Sequence, residues 1–180
     1  MHFTWHDAHL LPEDYEYEIL DGNPHAIPFP DPYHRRITGS LEAALHSQIC
    51  KMDWGRVFHR PCGVVLGKKT LVIPDLFLIR KSRLGIIRGG KALGAPDVII
   101  EIVSSGGREL DLVTKRRLYA RHGVLEYWIF SSLTRKVEVL IWSEVGYVKA
   151  KPQVTSECIS SLLISMLRIP LGKIFSNCGP

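Results

Sequence analysis

The sequence predicts a mixed β-sheet with helices packed on its faces, which is an α/β or α+β fold. Two segments with helical periodicity, residues 32–51 and 109–122, alternate with runs of strand-like residues. Residues 97–104 are essentially apolar on both faces of the strand they would form, as a central strand should be. The chain has 180 residues, of which 46% are hydrophobic and 23% are charged, so it can bury a sizeable core.

The first predicted elements are a hairpin and a long helix. Residues 15–20 alternate and end at Asp21-Gly22, a dipeptide that favours a hairpin turn, so a short strand at residues 25–27 should return. A proline-rich connector follows, and its last proline, Pro32, suits the first position of a helix that ends near residue 51. One face of this helix carries apolar residues at helical spacing: Ile37, Leu41, Ala44, Leu45 and Ile49.

The middle of the chain predicts strands and one basic loop. Residues 56–66 form a strand interrupted by a proline and a glycine, and residues 70–79 form another strand. Residues 80–94 are basic and contain glycines, which favours a loop with at most one helical turn. The strand at residues 97–104 ends at the Ser-Gly-Gly break at 105–107.

The last third of the chain predicts one helix, three strands and an ambiguous tail. Residues 109–122 form a helix with acidic residues in the first turn, basic residues later and Gly123 as its C-cap. Strands follow at residues 125–130, 136–142 and 147–150. In the tail, residues 159–167 fit a helix, whereas residues 167–171 fit an edge strand.

Length and composition indicate the number of domains and the kind of partner. We expect one domain over residues 1–180, with an N-terminal hairpin region at 1–30, a core at 31–150 and a C-terminal extension at 151–180. The net charge of +5 mildly favours a polyanionic partner. The four cysteines are widely spaced, which argues against a zinc or disulfide scaffold and fits the cytoplasm. No secretory signal or membrane-spanning helix is expected, because no apolar run approaches about 18 residues.

Two carboxylates on apolar strands, Asp75 and Glu101, are the first candidate site. Burying unpaired charge is costly, so such residues need a reason. Two neighbouring strands that present one carboxylate each to the same edge form a hard-oxygen site suited to magnesium or manganese. The alternatives are a core glutamate paired with a buried arginine or hydroxyl, and an aspartate at a turn. Asp97 is four residues from Glu101, roughly 13 Å along a strand, so those two cannot share one ion and Asp97 should cap a turn.

Lys115 is the third candidate, on the helix that follows the Glu101 strand. It lies one helical turn after Asp111, so a solvated ion pair on the helix surface is one interpretation. The other interpretation is that the helix packs back on the sheet and brings the Lys115 amine to the carboxylates. There the amine would orient or help deprotonate a water, or neutralise charge developing on a phosphate.

The chain resembles the Uma-two family of restriction-endonuclease-like proteins, a branch of the PD-(D/E)XK nuclease superfamily. The order and spacing of several short motifs carry this resemblance over most of the chain. They are Tyr17-Glu18-Ile19-Leu20-Asp21-Gly22, His34, Pro74-Asp75, Gly94-Ala95-Pro96-Asp97, Glu101-Ile102-Val103-Ser104, Asp111, Lys115, Tyr119, Gly123 and Glu126-Tyr127-Trp128-Ile129.

The resemblance implies a restriction-endonuclease-like core, a mixed sheet flanked by helices, and a set of site residues. Asp75 and Glu101 would be metal ligands, helped by the backbone carbonyl of Ile102. The wider superfamily places its lysine two residues after the glutamate, where this chain has a valine, and in this branch Lys115 would take that role. Glu18 would be an additional acid that holds water or a second metal, and His34 would contact the substrate or the acids.

The function expected from these residues is magnesium-dependent hydrolysis of DNA phosphodiester bonds by an endonuclease, with manganese as a possible substitute. We expect a cytoplasmic homodimer, because nucleases of this size often pair so that two sites address two strands. Basic residues at 68–69 and 80–91 would give salt-sensitive, sequence-blind contacts with the DNA backbone. The alternatives are a nuclease-fold protein that binds nucleic acid without turnover, and a hydrolase of smaller phosphate esters. The sequence carries no Walker loop, Gly-x-Ser-x-Gly elbow or His-Glu-x-x-His motif, which argues against kinases, α/β-hydrolases and zincins.

Overall fold

The computed structural model of the chain describes residues 2–103, 109–149 and 158–176. The strands within these ranges are β1 (Glu16–Leu20), β2 (Asn23–Ile27), β3 (Gly55–His59), β4 (Gly63–Gly67), β5 (Thr70–Val72), β6 (Leu76–Arg80), β7 (Ile87–Arg88), β8 (Lys91–Leu93), β9 (Val98–Val103), β10 (Glu126–Ser131), β11 (Lys136–Ser143), β12 (Gly146–Lys149), β13 (Cys158–Ile159) and β14 (Ile169–Pro170). The α-helices are α1 (Pro32–Lys51), α2 (Glu109–Arg121) and α3 (Leu171–Phe175), with 3-10 helices at Trp5–Leu10 and Lys81–Ile86. None of the helices in these ranges is long and apolar enough to cross a membrane.

The strands form two six-stranded sheets and one short ribbon. The central sheet has the order β12-β11-β10-β9-β6-β3, and the outer sheet has the order β2-β1-β5-β4-β8-β7. The pair β9–β10 is parallel in the central sheet and β4–β8 is parallel in the outer sheet, while their other pairs are antiparallel. The predicted mixed sheet flanked by helices is therefore confirmed, and the structure also contains a second six-stranded sheet.

The central sheet separates two hydrophobic cores. On one side, β9 and β10 side chains such as Ile100 and Trp128 pack against α1 and the segment 158–176. On the other side, Phe77 and Tyr127 pack against α2 and the outer sheet. Successive side chains on a strand point to opposite faces, so β9 contributes Ile100 to the first core and Ile99 to the second.

Helix α1 has the bounds that its sequence signals predict. The Asp31 carboxylate accepts the His34 N–H at 2.8 Å and caps the helix, and Pro32 occupies the first helical position. The apolar stripe Ile37, Leu41, Leu45 and Ile49 is fully buried against the central sheet. Helix α2 also forms where predicted, and the positive φ of 75° at Gly123 fits its role after the helix end.

Two predictions for the middle of the chain are wrong in whole or in part. The single strand expected at residues 70–79 is two strands in different sheets, β5 and β6, because the chain leaves one sheet and enters the other at Ile73-Pro74-Asp75. The loop expected at residues 80–94 has the helical turn that the prediction allowed, as a 3-10 helix, but it also contains an unexpected hairpin, β7–β8, whose turn glycines, Gly89 and Gly90, have φ of 55° and 73°. Two successive positive φ values define the tight turn that favours a two-residue hairpin connection.

The C-terminal segment departs from the predicted helix. Residues 159–167 contain bends rather than a helix, and the edge-strand alternative is realised only as the short ribbon of β13 and β14, before α3. Its buried side chains, including Ile159 and Phe175, complete the core around α1. The predicted break at residues 105–107 and the end of the predicted strand at residue 150 lie outside the described residues.

Candidate active site

Asp75 lies where the chain passes from one sheet to the other. β5 ends at Val72 in the outer sheet and β6 begins at Leu76 in the central sheet, so Asp75 ends the crossing segment. The β6–β9 ladder stops at Leu76, and Asp75 Oδ2 accepts the Ile102 N–H at 2.8 Å in place of a strand carbonyl. The proline that precedes Asp75 has no N–H to donate to a ladder, which favours the break.

Glu101 stands on the face of β9 that α2 covers. Extending the β6–β9 register by one residue brings it opposite Asp75. Two α2 side chains donate to the same carboxylate oxygen: Lys115 Nζ lies 3.0 Å from Glu101 Oε1, and Tyr119 Oη lies 2.9 Å from it. Lys115 and Tyr119 are four residues apart, so they share a helix face and converge on one group.

Glu18 brings a third carboxylate to the cluster from β1 of the outer sheet. Its Oε1 lies 2.8 Å from Lys115 Nζ and accepts the Ile73 N–H at 3.0 Å. Lys115 therefore links a carboxylate of the outer sheet to Glu101 of the central sheet. The structure brings Glu18, Glu101 and Lys115 into direct contact, as the second interpretation of Lys115 requires.

His34 reaches the cluster from the first turn of α1. Its Nε2 lies 3.0 Å from Asp75 Oδ2, and because a carboxylate only accepts hydrogen bonds, Nε2 carries the hydrogen in this contact. One turn later, the Thr38 hydroxyl donates to the His34 carbonyl at 2.8 Å. Sequence reasoning expected His34 near the acids or the substrate, and the structure places it against an acid.

The cluster is almost closed to solvent and carries excess negative charge. Exposed fractions are 2% for Asp75, 4% for Glu101 and for Glu18, and 7% for Lys115. Burial raises the pKa of Glu101, the carboxylates of Asp75 and Glu18 raise it further, and the Lys115 ammonium opposes them. Three carboxylates, of Glu18, Asp75 and Glu101, are partnered by one ammonium, Lys115, and one imidazole, His34, and a bound cation would add positive charge beside them.

The pKa values of the two α2 side chains keep both of them as hydrogen-bond donors. Burial by itself lowers the pKa of Lys115, but the Glu101 and Glu18 carboxylates outweigh it, so the net pKa is raised. The pKa of Tyr119 is raised well above its usual value by burial and then by Glu101. A protonated Lys115 can orient a water or neutralise charge, and it is poorly suited to removing a proton.

Asp75 and Glu101 are the residues that could hold a divalent cation here. Both offer carboxylate oxygens, and the Ile102 carbonyl leaves the strand on the same side as the Ile102 N–H that Asp75 accepts. Over residues 2–103, 109–149 and 158–176, no three His, Cys, Asp or Glu side chains are grouped as a metal cage. Magnesium typically uses one or two carboxylates together with water and substrate phosphate, so this set suits magnesium or manganese.

Asp97 has a structural position away from the cluster. It is fully buried, and its carboxylate accepts the Arg80 N–H at 2.9 Å and lies 2.6 Å from Arg80 Nε and 2.9 Å from an Arg83 guanidinium nitrogen. The predicted turn cap is therefore a buried ion pair. Arg80 and Arg83, which belong to the basic segment expected to contact DNA, form these ion pairs while their own side chains are 37% exposed.

Sequence reasoning missed one contact of the cluster, the hydrogen bond from Tyr119 to Glu101. Tyr119 entered as part of the resemblance, although its position one turn after Lys115 is a signal that both side chains reach the same group. The pairing of His34 with Asp75 joins residues 41 positions apart and follows from no local pattern, so the expectation that His34 contacts the acids rested on the resemblance alone.

Comparisons with known proteins agree with this fold. The sequence model of the Uma2 family, described as "Putative restriction endonuclease", matches residues 5–171. A solved structure, a putative nuclease belonging to DUF820 from Anabaena variabilis ATCC 29413, superposes with a TM-score of 0.80 at 19% sequence identity. The superposition covers 97% of this chain and 98% of that one. No curated protein matches the sequence.

Proposed function

The chain belongs to the Uma2 family of restriction-endonuclease-like proteins, and on this premise we propose that it is a metal-dependent endonuclease that hydrolyses DNA phosphodiester bonds. The observation that carries the proposal is the buried cluster in which Lys115 contacts Glu18 and Glu101, with Asp75 opposite Glu101 when the β6–β9 register is extended. Burying several carboxylates costs desolvation free energy, and hydrophobic residues in the same place often give equal or greater stability. The cluster therefore indicates a function rather than a contribution to stability.

Asp75, Glu101 and the Ile102 carbonyl are the proposed metal ligands. Magnesium is the proposed ion and manganese the proposed substitute, because both prefer hard oxygen ligands. When bound, such an ion supplies Lewis-acid activation of water and charge neutralisation at the phosphate. The Ile102 N–H fixes the orientation of the Asp75 carboxylate through the 2.8 Å hydrogen bond to Oδ2.

The remaining side chains orient and balance charge. Lys115 would neutralise negative charge that develops on the phosphate, and Glu18 holds its amine in place through the 2.8 Å contact. Tyr119 fixes one oxygen of Glu101, which restricts how that carboxylate can turn. His34 holds Asp75 from the side of α1 and lies where a substrate would approach.

Assembly and location complete the proposal. A homodimer would use the β11–β12 hairpin, where Trp142, Val145 and Val148 are 38%, 97% and 54% exposed. Sedimentation velocity that detects only the monomer would refute the proposed dimer.

Cytoplasmic location is supported by free cysteines at Cys50, Cys62 and Cys158, which fit a reducing compartment.

The test is cleavage of supercoiled and single-stranded DNA with magnesium, with manganese or with EDTA. We compare the native chain with Asp75→Asn and Glu101→Gln, which remove a charge with almost no change of shape. Glu138→Gln is the matched control, because Glu138 lies on β11 and pairs with Arg116 and Lys149 outside the cluster.

Metal-dependent cleavage by the native chain and by Glu138→Gln, lost in both cluster variants, is the expected result. Cleavage that survives Asp75→Asn would refute the assignment of the site. A folded native protein that binds DNA in a salt-dependent manner without cleaving it would favour the non-catalytic binding function instead.

A further inference from the structure

A cleft of about 290 Å³ opens directly on the candidate active site. It lies between the first half of α1 and the connection from β3 to β4, and both Asp75 and His34 line it. The cluster residues themselves are at most 7% exposed, so a substrate phosphate must enter a recess to reach Asp75. A much smaller cavity, of about 30 Å³, is lined by Glu18 and Lys115.

The size of the cleft limits what can enter it. At ~30 Å³ for each water, it holds on the order of ten water molecules. With a water radius added on each side, a compact space of this volume is roughly 10 Å across, which is still less than the ~12 Å width of the major groove of B-DNA, and a whole duplex is wider than its groove. One nucleotide unit of an unpaired strand fits this scale, whereas a continuous duplex does not.

The lining of the cleft suits a nucleotide. Pro30, Pro61 and the bare helix surface at Gly39 provide non-polar walls for a base or sugar. Arg35 and Arg60 add guanidinium groups, which bind phosphate with directed hydrogen bonds. Three carboxylates also line the cleft, and two of them have cationic partners: Glu16 pairs with Arg60, and Glu42 lies 3.6 Å from His59 Nε2. Both arginines are oriented by contacts inside the protein: Arg35 Nε donates to the Pro30 carbonyl at 3.1 Å, and Arg60 forms an ion pair with a β1 glutamate.

We propose that this cleft is a nucleotide-binding subsite next to the reacting phosphate, and that it admits a single unpaired strand rather than a duplex. This inference rests on the proposed nuclease function and narrows its substrate class. Unpaired DNA, single-stranded ends and locally melted segments are then the substrates, with the base of one nucleotide held in the cleft and its phosphate directed toward Asp75 and His34.

Gly39 offers a way to close the cleft without touching the cluster. It lies inside α1, lines the cleft, and has nothing within 4 Å of the position that a Cβ would take. Alanine and leucine are also better helix formers than glycine, so Gly39→Ala and Gly39→Leu should not weaken α1. The control is Ala43→Leu, because Ala43 is exposed one turn later on the same helix and is not part of the cleft lining.

The first measurement is fluorescence anisotropy in EDTA, where no cleavage occurs. A labelled single-stranded oligonucleotide and the blunt duplex of the same sequence are titrated with the native chain and the three variants. We expect the native chain to bind the single strand at least tenfold more tightly, with a graded loss from Gly39→Ala to Gly39→Leu and native affinity for Ala43→Leu. Equal affinity for the duplex, or Gly39→Leu binding like the native chain, would overturn the inference.

The second measurement is cleavage of the same two substrates with magnesium. A preference for the single strand that Gly39→Leu reduces at least tenfold supports the subsite, and a preference for the duplex contradicts it. If no protein cleaves either substrate, the proposed catalytic function fails, while the anisotropy series still decides whether the cleft binds an unpaired strand. The two failures are therefore distinguishable.

Discussion

Replacing Lys115 with methionine should lower the stability of the protein far more than the loss of an exposed charge does. Lys115 is 7% exposed and is the ammonium that contacts both Glu101 and Glu18, at 3.0 and 2.8 Å. Methionine keeps most of the volume but leaves two buried carboxylates without that partner. Removing one partner of a buried ion pair costs about 3–5 kcal/mol. For a chain of this length that corresponds to a decrease in Tm of roughly 6–20 °C.

The assay is thermal and urea unfolding of the metal-free protein, followed by circular dichroism, with Arg116→Met as the matched control. Arg116 is the next residue of α2, and its ion pair with Glu138 is solvated, with side chains 35% and 28% exposed. Such a pair contributes about 0–1 kcal/mol, so this control should lose little stability. If Lys115→Met were no less stable than Arg116→Met, the buried contacts of Lys115 would not exist in solution, and the site described above would be wrong.

Three further predictions concern the buried Tyr119 and Asp97 and the half-buried His122. Tyr119→Phe removes a hydrogen bond to Glu101 and should lower metal affinity or cleavage by about 10–100-fold. The control is Tyr147→Phe, which should change neither, because the Tyr147 hydroxyl donates to the Val124 carbonyl. Terbium luminescence measures the metal affinity of each variant, and a cleavage assay measures its rate. Asp97→Asn should lower Tm without changing terbium binding, and a loss of terbium binding would contradict its purely structural role. Burial lowers the pKa of His122, so the unfolded chain binds the proton more readily and stability should fall as pH decreases below about 6.5. Urea unfolding of His122→Gln should show a weaker pH dependence in that range, and an unchanged dependence would refute the assignment.

Three charged residues of the cluster could be selected from the sequence as candidates. Glu101 interrupts an apolar strand, and Asp75 precedes another. Lys115 lies on a helix that must pack back on the sheet, although its spacing from Asp111 was also compatible with a solvated ion pair. Their proximity is produced by the pairing of β6 with β9 and by the packing of α2. The bounds of α1 were also predictable, because its cap, first-turn proline and apolar stripe agree with one another.

The rest depends on long-range packing that no local pattern encodes. The residues 70–79 have strand propensity throughout, yet Pro74 and the change of sheet divide them. That division, rather than strand alternation, lets Asp75 accept the Ile102 N–H and meet His34. The tail was ambiguous for a related reason: its apolar residues fill the space beside α1, and filling space requires no regular helix.

The ion pair between Lys115 and Glu18 makes the geometry of the cluster depend on the spacing of the two sheets. Glu18 belongs to the outer sheet and Glu101 to the central one, so the charged cluster also joins the two layers. In the proposed nuclease, a relative slip of the layers by about an ångström would separate the reacting groups and reduce turnover on the order of a hundredfold. Apolar residues packed between the layers, such as Leu20 and Phe77, would then influence turnover by fixing the layer spacing, without touching any substrate.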